Sequence, residues 1–316
     1  MAKKILVRVN AGADATSPGI ARAAALAEAA GSAIVLLGLV YDPHLEGYLG
    51  RSDVYASLRE RLIAERQQSL QGLAAELQAR GLRCESKALW SNPAHTAVLR
   101  EAAAPDIDLV VMEPADNRGL AQDDWRLVSS SPAPVLVVRD AAARPYSVVV
   151  AAIDPARSFD KPEDLDGKIL ELAKRFRDLA GGSLEVVHCL PPFRTFIADG
   201  IAALVEAENA LKLQRTAELA EMLEQAGLPQ QAGAVVEGSP SDVLIEHANR
   251  AAALVVLGTV QRGPIARLLV GSTAERVLRE PGGDIAVIRP SFIEEITADA
   301  DEESTRHVEV DPSETK

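Results

Sequence analysis

The chain has 316 residues, 47% of them hydrophobic and 25% charged, and carries a formal net charge of −13. This is enough chain for about two globular domains, and the acidity disfavours general binding to a nucleic-acid backbone. Two cysteines, Cys84 and Cys189, share no CxxC or Cys/His spacing, which argues against a disulfide framework and a zinc site. The early apolar run Ile5-Leu6-Val7 is too short for a secretory signal, and no stretch approaches the ~20 apolar residues of a membrane span, so the expectation is a cytoplasmic chain with no membrane partner.

In chain order, an apolar strand at 4–10 precedes an Ala-rich helix at 18–30 and a strand at 33–40. A long helix over about 52–80 runs to Gly81, a C-cap signal. A strand follows at 82–89, then a helix opening at Asn92-Pro93, with Asn92 as N-cap and Pro93 at the first helical position. Strands at 108–112 and 135–139 flank a short helix. The small-residue and proline stretch Ala141 to Pro145 reads as a boundary. Beyond it come strand 147–153, helix 163–179 ending at Gly181-Gly182, strand 184–190, helix 201–226 ending at Gly227, and strand 232–236. Helix 240–250 opens at Ser239-Pro240, and strand 253–257, a glycine-rich loop, helix 272–280 and strand 285–289 complete the series. From Glu294 onward nine acids stand against Arg306 and Lys316, which predicts a disordered acidic tail over 294–316.

The chain is written twice. Lys4-Ile5-Leu6-Val7-Arg8-Val9-Asn10 answers Val148-Val149-Val150-Ala151-Ala152-Ile153-Asp154. Asp108-Leu109-Val110-Val111-Met112 answers Ala253-Leu254-Val255-Val256-Leu257, and Pro134-Val135-Leu136-Val137-Val138-Arg139 answers Asp284-Ile285-Ala286-Val287-Ile288-Arg289. The expected domains are therefore 1–143 and 144–293. Short apolar runs alternating with helices predict parallel sheets covered on both faces, that is, two tandem doubly wound α/β domains.

The second copy carries the chemistry. Its fourth strand ends at Leu257-Gly258, and the loop Thr259 to Val270, with Gln261, Arg262, Gly263 and Arg267, leads to Gly271-Ser272-Thr273 at the start of a helix. Ser272 or Thr273 is expected to cap that helix, with Glu275 completing a capping box. Glycine lets the backbone approach a ligand, and free N–H groups at a helix N-terminus favour phosphate. A Walker loop is excluded because Pro264 stands where lysine is required.

Gly258, Gly271 and Ser272 fall in register with the Gly-x2-Gly-x9-Gly-(Ser/Thr) loop of the universal stress protein family, which the chain resembles over both halves. Gln261 replaces the loop's second glycine, with Gly263 two residues later. The resemblance is to the tandem bacterial type, in which the first copy lacks the loop and reads like Asp123-Asp124-Trp125-Arg126-Leu127-Val128 before its last strand. It implies Rossmann-like, adenine-nucleotide alpha-hydrolase-like domains, each with five parallel strands in the order 3-2-1-4-5. It also implies that the final strands of the two copies, around 135–139 and 285–289, pair into an intramolecular pseudo-dimer, with a further homodimer open.

By the same resemblance, Asp154 meets the adenine and ribose side of a nucleotide and Cys189 lines the base. Leu257 and Gly258 form the turn beside base and phosphates, and Gln261, Arg262, Gly263, Gly271, Ser272 and Thr273 belong to the phosphate loop. The implied ligand is ATP or AMP, with magnesium if ATP. In the first copy Asn10 replaces the aspartate and Glu113-Pro114 follows the fourth strand, so no nucleotide is expected there.

Other readings stand beside this one. His188 reads as a packed core histidine, His44, His95 and His247 as structural or surface residues, the cysteines as strand residues and Trp125 as core. No nucleophile–base–acid set, Gly-x-Ser-x-Gly elbow or His-Glu-x-x-His helix is present, so the function expected is binding, with at most slow ATP hydrolysis. A stress-response protein that switches on binding nucleotide or a replacement ligand, or through unidentified protein partners, leads. The alternatives are a ligand-independent scaffold and a binder of apolar ligands that uses Leu190 to Ile197.

Overall fold

The computed structural model describes residues 3–46, 53–114, 119–156, 164–191, 201–259, 271–280 and 282–290. The first half contains β1 (Lys4–Val9), α1 (Pro18–Ala30), β2 (Ala33–Val40), the short α2 (Pro43–Glu46), α3 (Asp53–Ala79), β3 (Arg83–Trp90), α4 (Ala94–Ala102), β4 (Ile107–Met112), α5 (Gln122–Ser130) and β5 (Val135–Val137). The second contains β6 (Val148–Ala152), α6 (Leu165–Ala180), β7 (Ser183–Leu190), α7 (Ile201–Gln225), a 3-10 turn at Gln230–Ala232, β8 (Gly233–Glu237), α8 (Pro240–Ala248), β9 (Ala253–Gly258), α9 (Ser272–Arg279) and β10 (Asp284–Ile288).

All ten strands form one sheet, ordered β3-β2-β1-β4-β5-β10-β9-β6-β7-β8. Each half has the parallel order 3-2-1-4-5, and the halves join where β5 runs antiparallel to β10, with Leu136 opposite Ala286. The two strand edges thereby cover one another. Alternation along the strands divides the core between the two sheet faces. Val7, Val9, Val149 and Ala151 pack under α1, α3, α6 and α7, while Leu6, Val148 and Val150 pack toward α4, α5, α8 and α9.

The junction also contains a buried polar network. Asp284, fully buried at the start of β10, accepts hydrogen bonds from Arg22 Nε (2.9 Å), Tyr146 Oη (2.7 Å) and the backbone N–H groups of Arg139 (2.8 Å) and Asp140 (2.9 Å). Arg22 comes from α1 in the first half, is buried, and lies 4.1 Å over the Tyr146 ring. Asp108 in β4 reaches across the halves as well, pairing with Lys3 (2.8 Å) and Arg175 of α6.

Two local expectations are corrected. Pro93 is the N-cap of α4, not its first helical residue, and Asn92-Pro93 is cis. At α9 the N-cap is Gly271, and no described side chain caps the helix; Glu275 instead turns along the helix to Arg279, at 2.6 Å. The expected tail at 294–316 lies outside the described residues.

Candidate functional site

Strand register assembles the site. β6 pairs with β7 as Ala152 with Val187, and with β9 as Ala151 with Val256. Continuing each register toward the carboxyl ends brings Asp154 level with Cys189 on one side and Thr259 on the other. Asp154, Cys189 and Gly258 thus share the crevice beyond the strand ends, where open α/β sheets bind ligands.

Asp154 is held by its surroundings. Its N–H donates to Asp166 Oδ1 on α6 (3.2 Å), and its Oδ1 lies 3.7 Å from His188 Nδ1. His188 is buried, with Nδ1 3.3 Å from the carbonyl of Ile153 and a buried Nε2 that has no hydrogen-bond partner among the described residues. It packs as a core residue, yet it sits directly beneath the crevice, a placement that strand spacing alone does not reveal. Cys189 is half-buried, and burial pushes its thiol up to about 11. At neutral pH it is a small apolar neighbour rather than a thiolate.

Gly258 is bare for a packing reason. A Cβ there would lie 2.8 Å from Leu165 Cδ2 and 3.0 Å from Ile169 Cδ1, so glycine lets α6 settle against β9. Leu257 is buried in the core, leaving its backbone as the part nearest the crevice. Thr259, which the sequence did not single out, is buried, and its N–H donates to Ile288 O at 3.0 Å. Gly271 has φ 88° and ψ 137°, a region that disfavours L side chains. Ser272 and Thr273 open α9, where the first-turn N–H groups have no side-chain cap among the described residues. Gln261, Arg262 and Gly263 lie outside the described residues.

The crevice of the first half is furnished differently. The Glu113 carboxylate accepts the N–H of Gly19 in the first turn of α1 (3.2 Å). The Glu113 carbonyl accepts from Arg8 Nη2 (3.0 Å) and Asn10 Nδ2 (3.1 Å), and Arg8 pairs with the buried Asp124. Arg66 Nη2 reaches from α3 to the carbonyls of Val9 (2.7 Å) and Asn10 (3.0 Å). Val9 answers Ile153 in the repeat, so the same carbonyl position is contacted by Arg66 in one half and by His188 in the other. His95, read from the sequence as a structural or surface residue, has Nδ1 2.8 Å from Asp123 Oδ1. Trp125 packs against the core with Arg279 of the other half 5.5 Å over its ring.

Comparison with known proteins gives the chain its relatives. The model of the universal stress protein family matches residues 1–139 and again 146–289. Universal stress protein E of Escherichia coli K12 is 25% identical, over 92% of this chain and 95% of its own length. The universal stress protein E homolog of Haemophilus influenzae is also 25% identical, over 82% and 87%. Among solved structures, a functionally unknown protein from Pseudomonas aeruginosa PAO1 superposes with a TM-score of 0.67 at 22% identity, covering 92% of this chain and 93% of that one. A universal stress protein from Archaeoglobus fulgidus gives 0.60 at 16% identity, covering 91% and 98%. These two likenesses carry the fold.

Proposed function

The chain belongs to the universal stress protein family, a family of stress-response proteins, and from that premise we propose that its second half binds an adenine nucleotide, ATP or AMP, and acts by switching rather than by catalysis. Two observations carry the reading together: an α9 N-terminus at Gly271-Ser272-Thr273 with no side-chain cap among the described residues, and a crevice at the ends of β6, β7 and β9 in which Asp154 and Cys189 share one level. Uncapped N–H groups and the positive end of the helix dipole favour phosphate. Asp154, held in place from α6, is the acceptor assigned to the ribose side, and the neutral Cys189 suits the edge of a base. With ATP, a magnesium ion would arrive on the phosphates.

The protein is read as cytoplasmic. No helix among the described residues is long and apolar enough to cross a membrane. A second reading, a ligand-independent scaffold with protein partners, draws on the first half, where Glu113 and Arg66 already occupy the groups that a nucleotide would meet. The apolar-ligand reading rests on residues 190–197, most of which lie outside the described residues.

Photolabelling with 8-azido-ATP followed by peptide mapping tests the leading reading. Label concentrated in peptides around Cys189 and Gly258 is the expected result. Label confined to the first half, or none above a competition control with excess ATP, rejects it.

A further inference from the structure

The carboxyl-end corner of the first half, bounded by β2, β3 and α3, has a composition unlike the rest of the chain. The protein has only four tyrosines and two tryptophans. Three of these six are here: Tyr41 just after β2, Trp90 at the end of β3, and Tyr55 on α3 four residues before Arg59. Tyr41 and Trp90 meet edge to face with ring centroids 5.8 Å apart, and Tyr41 is exposed. The Arg59 guanidinium carbon lies 5.3 Å from the Trp90 ring centroid. Arg66, seven residues further along α3, lies on the same helix face two turns away. It passes over Gly38, where a Cβ would come within 2.5 Å of Arg66 Nε.

Among the described residues both arginines lack a counter-charge, and Arg66 Nη2 donates only to the carbonyls of Val9 and Asn10. In a chain with 46 acids against 33 lysines and arginines, neither has a carboxylate partner among the described residues, and the Nε of each is buried without an acceptor. Burial lowers the Arg66 pKa from its ordinary value, as expected for a cation kept from water without an anion.

The repeat shows what is missing. The turns after the long helices match, with Leu82 N bonded to Leu77 O in one half and Leu228 N to Leu223 O in the other, which makes Lys212 the counterpart of Arg66. Val40 pairs with Trp90 as Leu190 pairs with Glu237, which makes Glu237 the counterpart of Trp90. In the second half these two positions form an ion pair, Lys212 to Glu237 at 2.7 Å. In the first half the cation remains and an indole stands in place of the carboxylate.

We propose that this corner binds a small ring-bearing anion, a carboxylate or phosphate held by Arg59 and Arg66 with its ring against Tyr41 and Trp90. Guanidinium groups suit both oxyanions, and aromatic edges and faces suit a planar ring. Through Arg66 the corner adjoins the first-half crevice on its β2–β3 side, away from the β4 wall where the Glu113 carboxylate already takes the α1 N-terminus. It does not depend on nucleotide binding in the second half.

The test uses the full chain carrying Trp125→Phe, which leaves Trp90 as the sole tryptophan. Phenyl phosphate, benzoate, inorganic phosphate and phenol are titrated by fluorescence and calorimetry. Phenyl phosphate is expected to bind saturably and about tenfold more tightly than inorganic phosphate or phenol, and Arg59→Gln to weaken it about tenfold. Glu224→Gln, on the exposed face of α7 in the second half, leaves it unchanged. Arg66→Gln should weaken it similarly; if that variant fails to fold, because Arg66 also holds the β1 carbonyls, Arg59→Gln decides alone. Absence of saturable binding by phenyl phosphate and benzoate overturns the proposal, as does binding indifferent to Arg59→Gln.

Discussion

Replacing Asp284 with alanine tests how the halves are joined. The carboxylate is fully buried and accepts four hydrogen bonds, three of them from the other half: Arg22 Nε and the N–H groups of Arg139 and Asp140. Asp284→Ala takes the acceptor from Arg22 Nε, a buried phenol and two backbone N–H groups, and leaves the guanidinium with only the Arg144 carbonyl and the partly exposed Asp140 at 3.7 Å. Removing one partner of a buried ion pair costs about 3–5 kcal/mol, mostly because the other charge stays buried. At about 2 °C per kcal/mol for a large cooperative unit, the melting temperature should fall by about 6–10 °C. The assay is chemical and thermal unfolding of wild type, Asp284→Ala, Arg22→Ala and the double variant. The two single losses should not add, with a coupling of at least about 1 kcal/mol. A loss below about 1 kcal/mol for Asp284→Ala, or strict additivity, would refute the reasoning.

Further outcomes follow from the same geometry. Gly258→Ala forces a methyl group against Leu165 and should cost about 1–3 kcal/mol in denaturant unfolding, because neither α6 nor β9 can move freely. Burial alone would raise the Asp108 pKa, but Arg175 and Lys3 outweigh it and hold the carboxyl below its ordinary 3.8. A depressed folded pKa gives stability that is present above the unfolded value and lost as pH falls through the folded one. Asp108→Asn should therefore be less stable than wild type at pH 7, and the gap in urea midpoints should close below the ordinary carboxylate range. Cys189, with its thiol pushed up to about 11, should resist alkylation by iodoacetamide at pH 8 in the folded protein and react readily once unfolded.

The order of elements was legible because most strands are short apolar runs, the edge strand β3 with its Arg-Cys-Glu-Ser-Lys start being the exception, and each long helix ends in a glycine. Gly31, Gly81, Gly181 and Gly227 all take positive φ at or just past helix ends. Other features depend on partners distant in the sequence. The Arg22–Asp284 pair spans 262 residues, and no local pattern announces it. The capping box at Ser272 and Glu275 had the right spacing, but Gly271 takes the N-cap position and Glu275 finds Arg279. Gly258 reads as a ligand-facing glycine in sequence, whereas its missing side chain also answers to Leu165 on α6. His95 finds Asp123 across 28 residues, on an element that comes into reach only when α4 and α5 pack together.

Calorimetric titration of the purified protein with ATP, ADP and AMP, after a denatured sample has been checked for co-purified nucleotide, tests the central claim most directly. The account predicts about one site per chain with a dissociation constant on the order of 1–100 μM. Ser272→Asp should abolish that binding with the melting temperature preserved, since an acid at the first turn suits the helix dipole while repelling phosphate. No heat of binding and no recovered nucleotide, or binding undiminished by Ser272→Asp, would contradict it.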